Sequence, residues 1–112
     1  MDVRKAIIFK QIGAKIAYYR ILSGLHQVDL ANKIGVSKSV LSRIERGNYN
    51  DNISVYLLLD IADGLQIDMA MLVTFNEQEK QMWWNELKDW WEAYRMGTLL
   101  KIKSYFIKKA FS

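Results

Sequence analysis

The chain has no cysteine, no proline and a single histidine among its 112 residues. Without cysteine there is neither a disulfide framework nor a thiolate zinc site, and one histidine cannot assemble a metal centre unaided, so neither metal nor cofactor is expected. No run of residues reaches the uncharged apolar length that crosses a bilayer. Residues 1–10 interrupt their apolar positions with Asp2, Arg4, Lys5 and Lys10, unlike a secretory signal, and a cytoplasmic protein is the expectation. Catalytic constellations are missing as well: there is no phosphate-cradling glycine loop and no carboxylate pair at a motif spacing, so an enzyme is not expected. Proline-rich, Gly/Ser-rich and repetitive segments are also lacking, which suits one compact domain with or without an appendage.

What is present is apolar surface and unevenly placed charge. Hydrophobic residues make up 51% of the chain, enough for a sizeable core, and the net charge is +4. Residues 1–48 hold nine Lys/Arg against three acids, whereas residues 49–73 hold four acids and no base. Residues 74–97 carry five acids against three bases, and residues 98–112 four lysines and no acid. A basic first half beside an acidic segment suits a polyanion bound on one side of the domain, although such asymmetry also arises by chance.

Aliphatic periodicity predicts short helices with clear punctuation. Ile12, Ile16 and Tyr19 recur at helical spacing up to Leu22, where Ser23 and Gly24 end the run. Val28, Leu30, Ala31 and Ile34 make a second helix stopped by Gly35, and Ser37 is placed to cap a third that carries Val40, Leu41 and Ile44 inward until Gly47. After an Asn-rich loop at residues 48–52, a fourth helix is expected from Ser54 to Asp63, followed by Gly64. A fifth runs from Asp68, its cap, to Val73. Residues 74–112 change character: Trp83, Leu87, Trp90 and Tyr94 step by four, three and four on a helix expected to end at Gly97. The closing segment, 98–112, fits a helix face but also alternates as a strand would; helix is the preferred reading.

Two short helices crossing steeply need a small residue where backbones approach, a glycine where the chain reverses and an aliphatic that pins one to the other. Ala31, Gly35 and Leu41 occupy those places. The outward face of the third helix then shows Ser37, Lys38, Ser39, Ser42, Arg43 and Arg46, short hydroxyls and cations suited to base edges and phosphates in a major groove.

Three blocks in order, "RILSGLHQVDLA", "GVSKSVLSRIERG" and "LLLDIADGLQIDMAMLV", make the stretch from about Ile12 to Val73 resemble the lambda repressor-like, XRE-type helix-turn-helix family. The resemblance implies an all-α fold, a five-helix DNA-binding bundle at residues 1–73 with an N-terminal extension at 1–11, and a transcriptional regulator, a repressor by expectation, that binds double-stranded DNA as a homodimer. By position it implies base contacts from Ser37, Lys38, Ser39, Ser42 and Arg43. Backbone contacts fall to Gln27, which also braces the recognition helix, and to Arg46 and Asn48. It further implies an ion pair between Arg20 and Glu45. Two departures stand out. His26 occupies a position where relatives place Thr, Ser or Asn, so the second helix should be frayed or capped in another way, and the proline usual after the recognition helix is absent.

The resemblance does not reach the appendage at residues 74–112. Four tryptophans in nine residues carry too much apolar area to leave in water. They cover either the chain's own bundle or a partner. The preferred expectation is a dimer interface formed by Trp83, Trp84, Leu87, Trp90, Trp91 and Tyr94. The competing class is a protein-interaction module or antitoxin-like protein that uses this helix to hold a different partner, and membrane association of the lysine-bearing end is ranked last.

Overall fold

The computed structural model describes residues 3–48 and 53–95. Those residues form six helices: α1 (Val3–Leu22), α2 (Gln27–Ile34), α3 (Lys38–Glu45), α4 (Val55–Leu65), α5 (Ala70–Val73) and α6 (Glu77–Arg95). By proximity the chain divides into two compact units, Lys10–Thr74 on the one hand and Met1–Phe9 with Phe75–Ser112 on the other. The closing segment at 98–112, read as a helix from its pattern, lies outside the described residues. No described helix is long and apolar enough to cross a membrane.

Each of the first five helices sends at least one fully buried side chain into the core of the larger unit: Ile16 from α1, Leu30 from α2, Leu41 and Ile44 from α3, Ile61 from α4 and Leu72 from α5. Each such burial contributes about 1.5–3 kcal/mol. The shared core thereby holds short helices that would be marginal alone in water.

Most helix ends sit where turn chemistry puts them. Gly35 takes the left-handed conformation (φ 75°) that ends α2, and Ser37 Oγ accepts the Val40 N–H at 3.1 Å to start α3. Ser54 Oγ accepts the Leu57 N–H at 3.1 Å, and the Asp68 carboxylate accepts the Ala70 N–H at 3.2 Å ahead of α5. Of the two alternatives His26 leaves for the start of α2, a frayed end or a different cap, the structure has the second: the Asp29 carboxylate reaches back to the His26 backbone N–H at 2.9 Å. At α6 the reciprocal bonds Glu79 N–H to Asn76 Oδ1 (2.8 Å) and Asn76 N–H to Glu79 Oε1 (3.0 Å) form a complete capping box.

Helix α5 starts at Ala70 with Met69 rather than Asp68 at its N-cap, and two further boundaries differ from the sequence reading. The segment treated as an N-terminal extension is helical from Val3 onward. Nothing between Val3 and Gln11 breaks a helix, and extending an existing helix costs far less than nucleating one. At the other boundary, α4 runs past Asp63 and Gly64 to Leu65, and Gln66 rather than a glycine takes the left-handed position (φ 57°). Gly64 serves packing instead. A Cβ there would lie 2.9 Å from Ile34 Cγ2 and 3.0 Å from Leu30 Cδ1, so its bareness lets α2 approach α4 closely.

Candidate nucleic-acid interface

The inner face of α3 is fixed by Leu41 and Ile44, both fully buried. Its outer face is consequently presented to solvent, with Lys38, Ser39, Arg43 and Arg46 exposed and Ser42 half-buried. Ser37, exposed at the cap, uses an oxygen lone pair on Val40 and keeps its O–H to donate. Lys38 carries no ion pair among the described residues. Arg46 folds back along its own helix, donating from Nε to the Ser42 carbonyl at 3.3 Å. Asn48 is half-buried just beyond, its backbone N–H on the Arg43 carbonyl at 2.9 Å. The residues expected to meet DNA from the recognition helix thus share one contiguous stretch of surface from Ser37 to Asn48.

Behind that surface, the last residue of α3 is a knot. Glu45 is the one buried charged residue among the described ones, and its carboxylate accepts Arg20 Nε at 2.7 Å, Arg20 Nη2 at 3.0 Å and Gln27 Nε2 at 3.0 Å. Arg20 spends a further N–H on the Leu25 carbonyl at 2.8 Å. One carboxylate therefore ties α1, the α1–α2 turn, the first residue of α2 and the end of α3 together. The hydrogen bond to Glu45 raises the Arg20 pKa above its ordinary value, against the opposing effect of desolvation. The side chains are only 12% and 4% exposed, so the pair's Coulomb gain is largely offset by lost hydration; its main effect is on geometry. The expected Arg20–Glu45 pair is present. Gln27 also has its expected bracing contact, and its amide keeps a carbonyl oxygen and a second N–H for other partners.

Sequence reasoning missed a second positioning element. At Gly13, in the middle of α1, a Cβ would lie 2.3 Å from the Ile44 carbonyl oxygen and 2.6 Å from that of Glu45. At Gly47, just past α3, it would lie 2.8 Å from Lys10 Cα. Two glycines, one on each side, thus let α1 and the end of α3 pack backbone against backbone. A signal was available: glycine inside a helix costs about 1 kcal/mol relative to alanine, so its presence there calls for a packing reason.

Among the residues expected at a dimer interface, Trp83 is half-buried and packs edge-on against Phe75, ring centroids 5.3 Å apart at 71°. Trp84 is 58% exposed. The side chains of Leu87, Trp90, Trp91 and Tyr94 lie outside the described residues.

Comparison with known proteins gives a consistent picture. The helix-turn-helix family HTH_3 matches residues 16–72. The chain is 36% identical over 81 residues to the HTH-type transcriptional regulator SinR of Bacillus licheniformis, covering 72% of this chain and 70% of that protein. It is 37% identical over 54 residues to an uncharacterized HTH-type transcriptional regulator of Methanocaldococcus jannaschii, covering 48% of this chain and 82% of the relative. Among solved structures it resembles the restriction-modification controller protein C.AhdI from Aeromonas hydrophila, with a TM-score of 0.54 and 30% identity over 57% of this chain and 94% of the other. Its five-helix arrangement is thus the all-α, lambda repressor-like one.

Proposed function

Because the chain belongs to the HTH_3 helix-turn-helix family and is a DNA-binding transcriptional regulator, we propose that it is a cytoplasmic repressor that reads a two-fold operator as a homodimer. The observation that carries this reading is the exposed row on α3, anchored by Leu41 and Ile44 beneath and by Glu45 at its end. Lys38, Ser39, Ser42 and Arg43, with the Ser37 hydroxyl, meet base edges in the major groove. Gln27, Arg46 and Asn48 hold phosphates and set register. A lysine or arginine contact to guanine contributes about 1–3 kcal/mol of discrimination against the wrong base.

In this reading residues 1–73 bind DNA and residues 74–112 bring two copies together through Trp83, Trp84, Leu87, Trp90, Trp91 and Tyr94. Two recognition helices one helical turn apart, about 34 Å, then require half-sites at that spacing. Exposed Met82 and Trp84 on α6 also favour a second reading, in which the appendage holds a different protein while the bundle holds DNA. Selection of bound duplexes from a random pool, with stoichiometry measured on the winners, tests the proposal. It expects a palindromic consensus bound by two chains. An asymmetric site bound by one chain, or no consensus, would remove the homodimeric reader.

A further inference from the structure

On α4, Tyr56, Leu59, Asp60 and Asp63 recur at intervals of three, one and three residues, which places them on one side of the helix. That side faces solvent: Tyr56 is 83% exposed and Leu59 41%, with Val55 beside them at 61%, and both aspartates are exposed. The face therefore has an apolar end, nearest the helix N-terminus, and an acidic end. The acidic end is placed against helix physics. Asp60 and Asp63 repel one another at a three-residue spacing and sit toward the negative pole of the macrodipole, in a helix with no basic residue in its last turn. Lys33 is the nearby cation, its ammonium donating to the Gly64 carbonyl at 3.1 Å, but it forms no ion pair with either aspartate, and neither aspartate has an ion pair among the described residues. The surrounding sequence adds no cation, since residues 49–73 contain four acids and no Lys or Arg.

We propose that this face of α4 is a docking surface for a protein partner that presents a basic amphipathic helix, its apolar side on Val55, Tyr56 and Leu59 and its Lys or Arg side chains on Asp60 and Asp63. Charge complementarity specifies the partner. The same negative charge is repelled by phosphate, and on this proposal the face stays open while α3 is on DNA. Only that simultaneous occupancy rests on the DNA-reading role given to α3.

The probe is a synthetic amphipathic peptide of leucine and lysine, with a control in which every lysine is glutamate, titrated into the isotope-labelled full chain while backbone amide signals are followed. The lysine peptide should shift the signals of residues 55–63, and its binding should weaken as NaCl rises from about 0.05 to about 0.3 M. Tyr56→Ala, and separately the pair Asp60→Asn with Asp63→Asn, should each weaken it about tenfold, as loss of a central aromatic or of paired charge does. These side chains are exposed, so circular dichroism should report an unchanged fold, and the aspartate variant should bind duplex DNA at least as tightly as the parent chain. Unmoved α4 signals, equal binding of the glutamate control or insensitivity to the substitutions would overturn the proposal. So would α4 shifts that depend on protein concentration alone, which would give the face to a second copy. A peptide of residues 98–112 that outcompetes the lysine probe would give it to the chain's own basic segment. If the peptide results hold but the chain ignores duplex DNA, the docking surface stands and the DNA-reading role of α3 fails.

Discussion

At Gly13 the absence of a side chain determines how close α1 comes to the end of the recognition helix. Replacing it with alanine puts a methyl well inside van der Waals contact distance of two backbone oxygens, and backbone cannot swing aside as a flexible side chain would. Gly13→Ala should therefore lower stability by about 1–3 kcal/mol despite alanine's better helix propensity, a loss readable in urea unfolding. A neutral or stabilising result would mean that α1 and α3 lie farther apart than described. Glu45→Ala strands Arg20 and Gln27 together, and the expected cost is about 3 kcal/mol, because a buried ion pair is most damaging when broken from one side. The Arg20 guanidinium is raised above its ordinary pKa chiefly by Glu45, so its share of stability is complete at all pH below the unfolded-state value. That share is lost only as pH climbs through the still higher folded-state value, beyond the physiological window. On DNA, Arg43→Ala should flatten sequence preference while Gln27→Ala weakens every site alike, by about 1 kcal/mol. Equal losses on cognate and random duplexes for both variants would show that the two roles are not separate.

The six helices show how far local chemistry reaches. Starts at Ser37 and Ser54 and the reversal at Gly35 were legible because each depends on a residue whose hydroxyl or missing Cβ acts within one turn of chain. The end of α4 was not legible. Gly64 looks like punctuation, yet its bareness is needed for Leu30 and Ile34, and the left-handed position falls on Gln66. Gln66 adopts a conformation that costs a side-chain-bearing residue about 1 kcal/mol, so Gln66→Gly should raise stability by up to about 1 kcal/mol, seen as a higher denaturation midpoint with unchanged slope. A drop would indicate that the glutamine side chain makes a compensating contact. The start of α1 was misplaced for the opposite reason: residues 3–11 hold no stop signal, and Ile8 stands one helical step of four before Ile12, so the apolar pattern reaches upstream of Ile12.

For the whole molecule, the proposal makes the Trp-bearing segment responsible for pairing two readers. Removal of residues 76–112 should leave a folded helix-turn-helix bundle that is monomeric by light scattering and binds an operator half-site far more weakly than the full chain binds the two-fold site. An unchanged dimer would move the pairing surface elsewhere. Packing of Trp83 on Phe75 shows that part of this aromatic surface is used within its own unit, while Trp84 stays exposed.

The order of short helices, the starts at Ser37 and Ser54, the reversal at Gly35 and the identity of the outward row on α3 were determined by sequence alone, since each follows from periodicity or from a side chain acting on its near neighbours. Tertiary structure decided what depends on residues far apart in the chain: that Gln27 shares the carboxylate holding Arg20, that Gly13 and Gly64 serve close approach, and that the α4 side carrying Tyr56, Leu59, Asp60 and Asp63 is left exposed. A linear pattern reports which residues can face inward or outward. Only the folded chain supplies the neighbour that makes a glycine necessary or an acid unpaired.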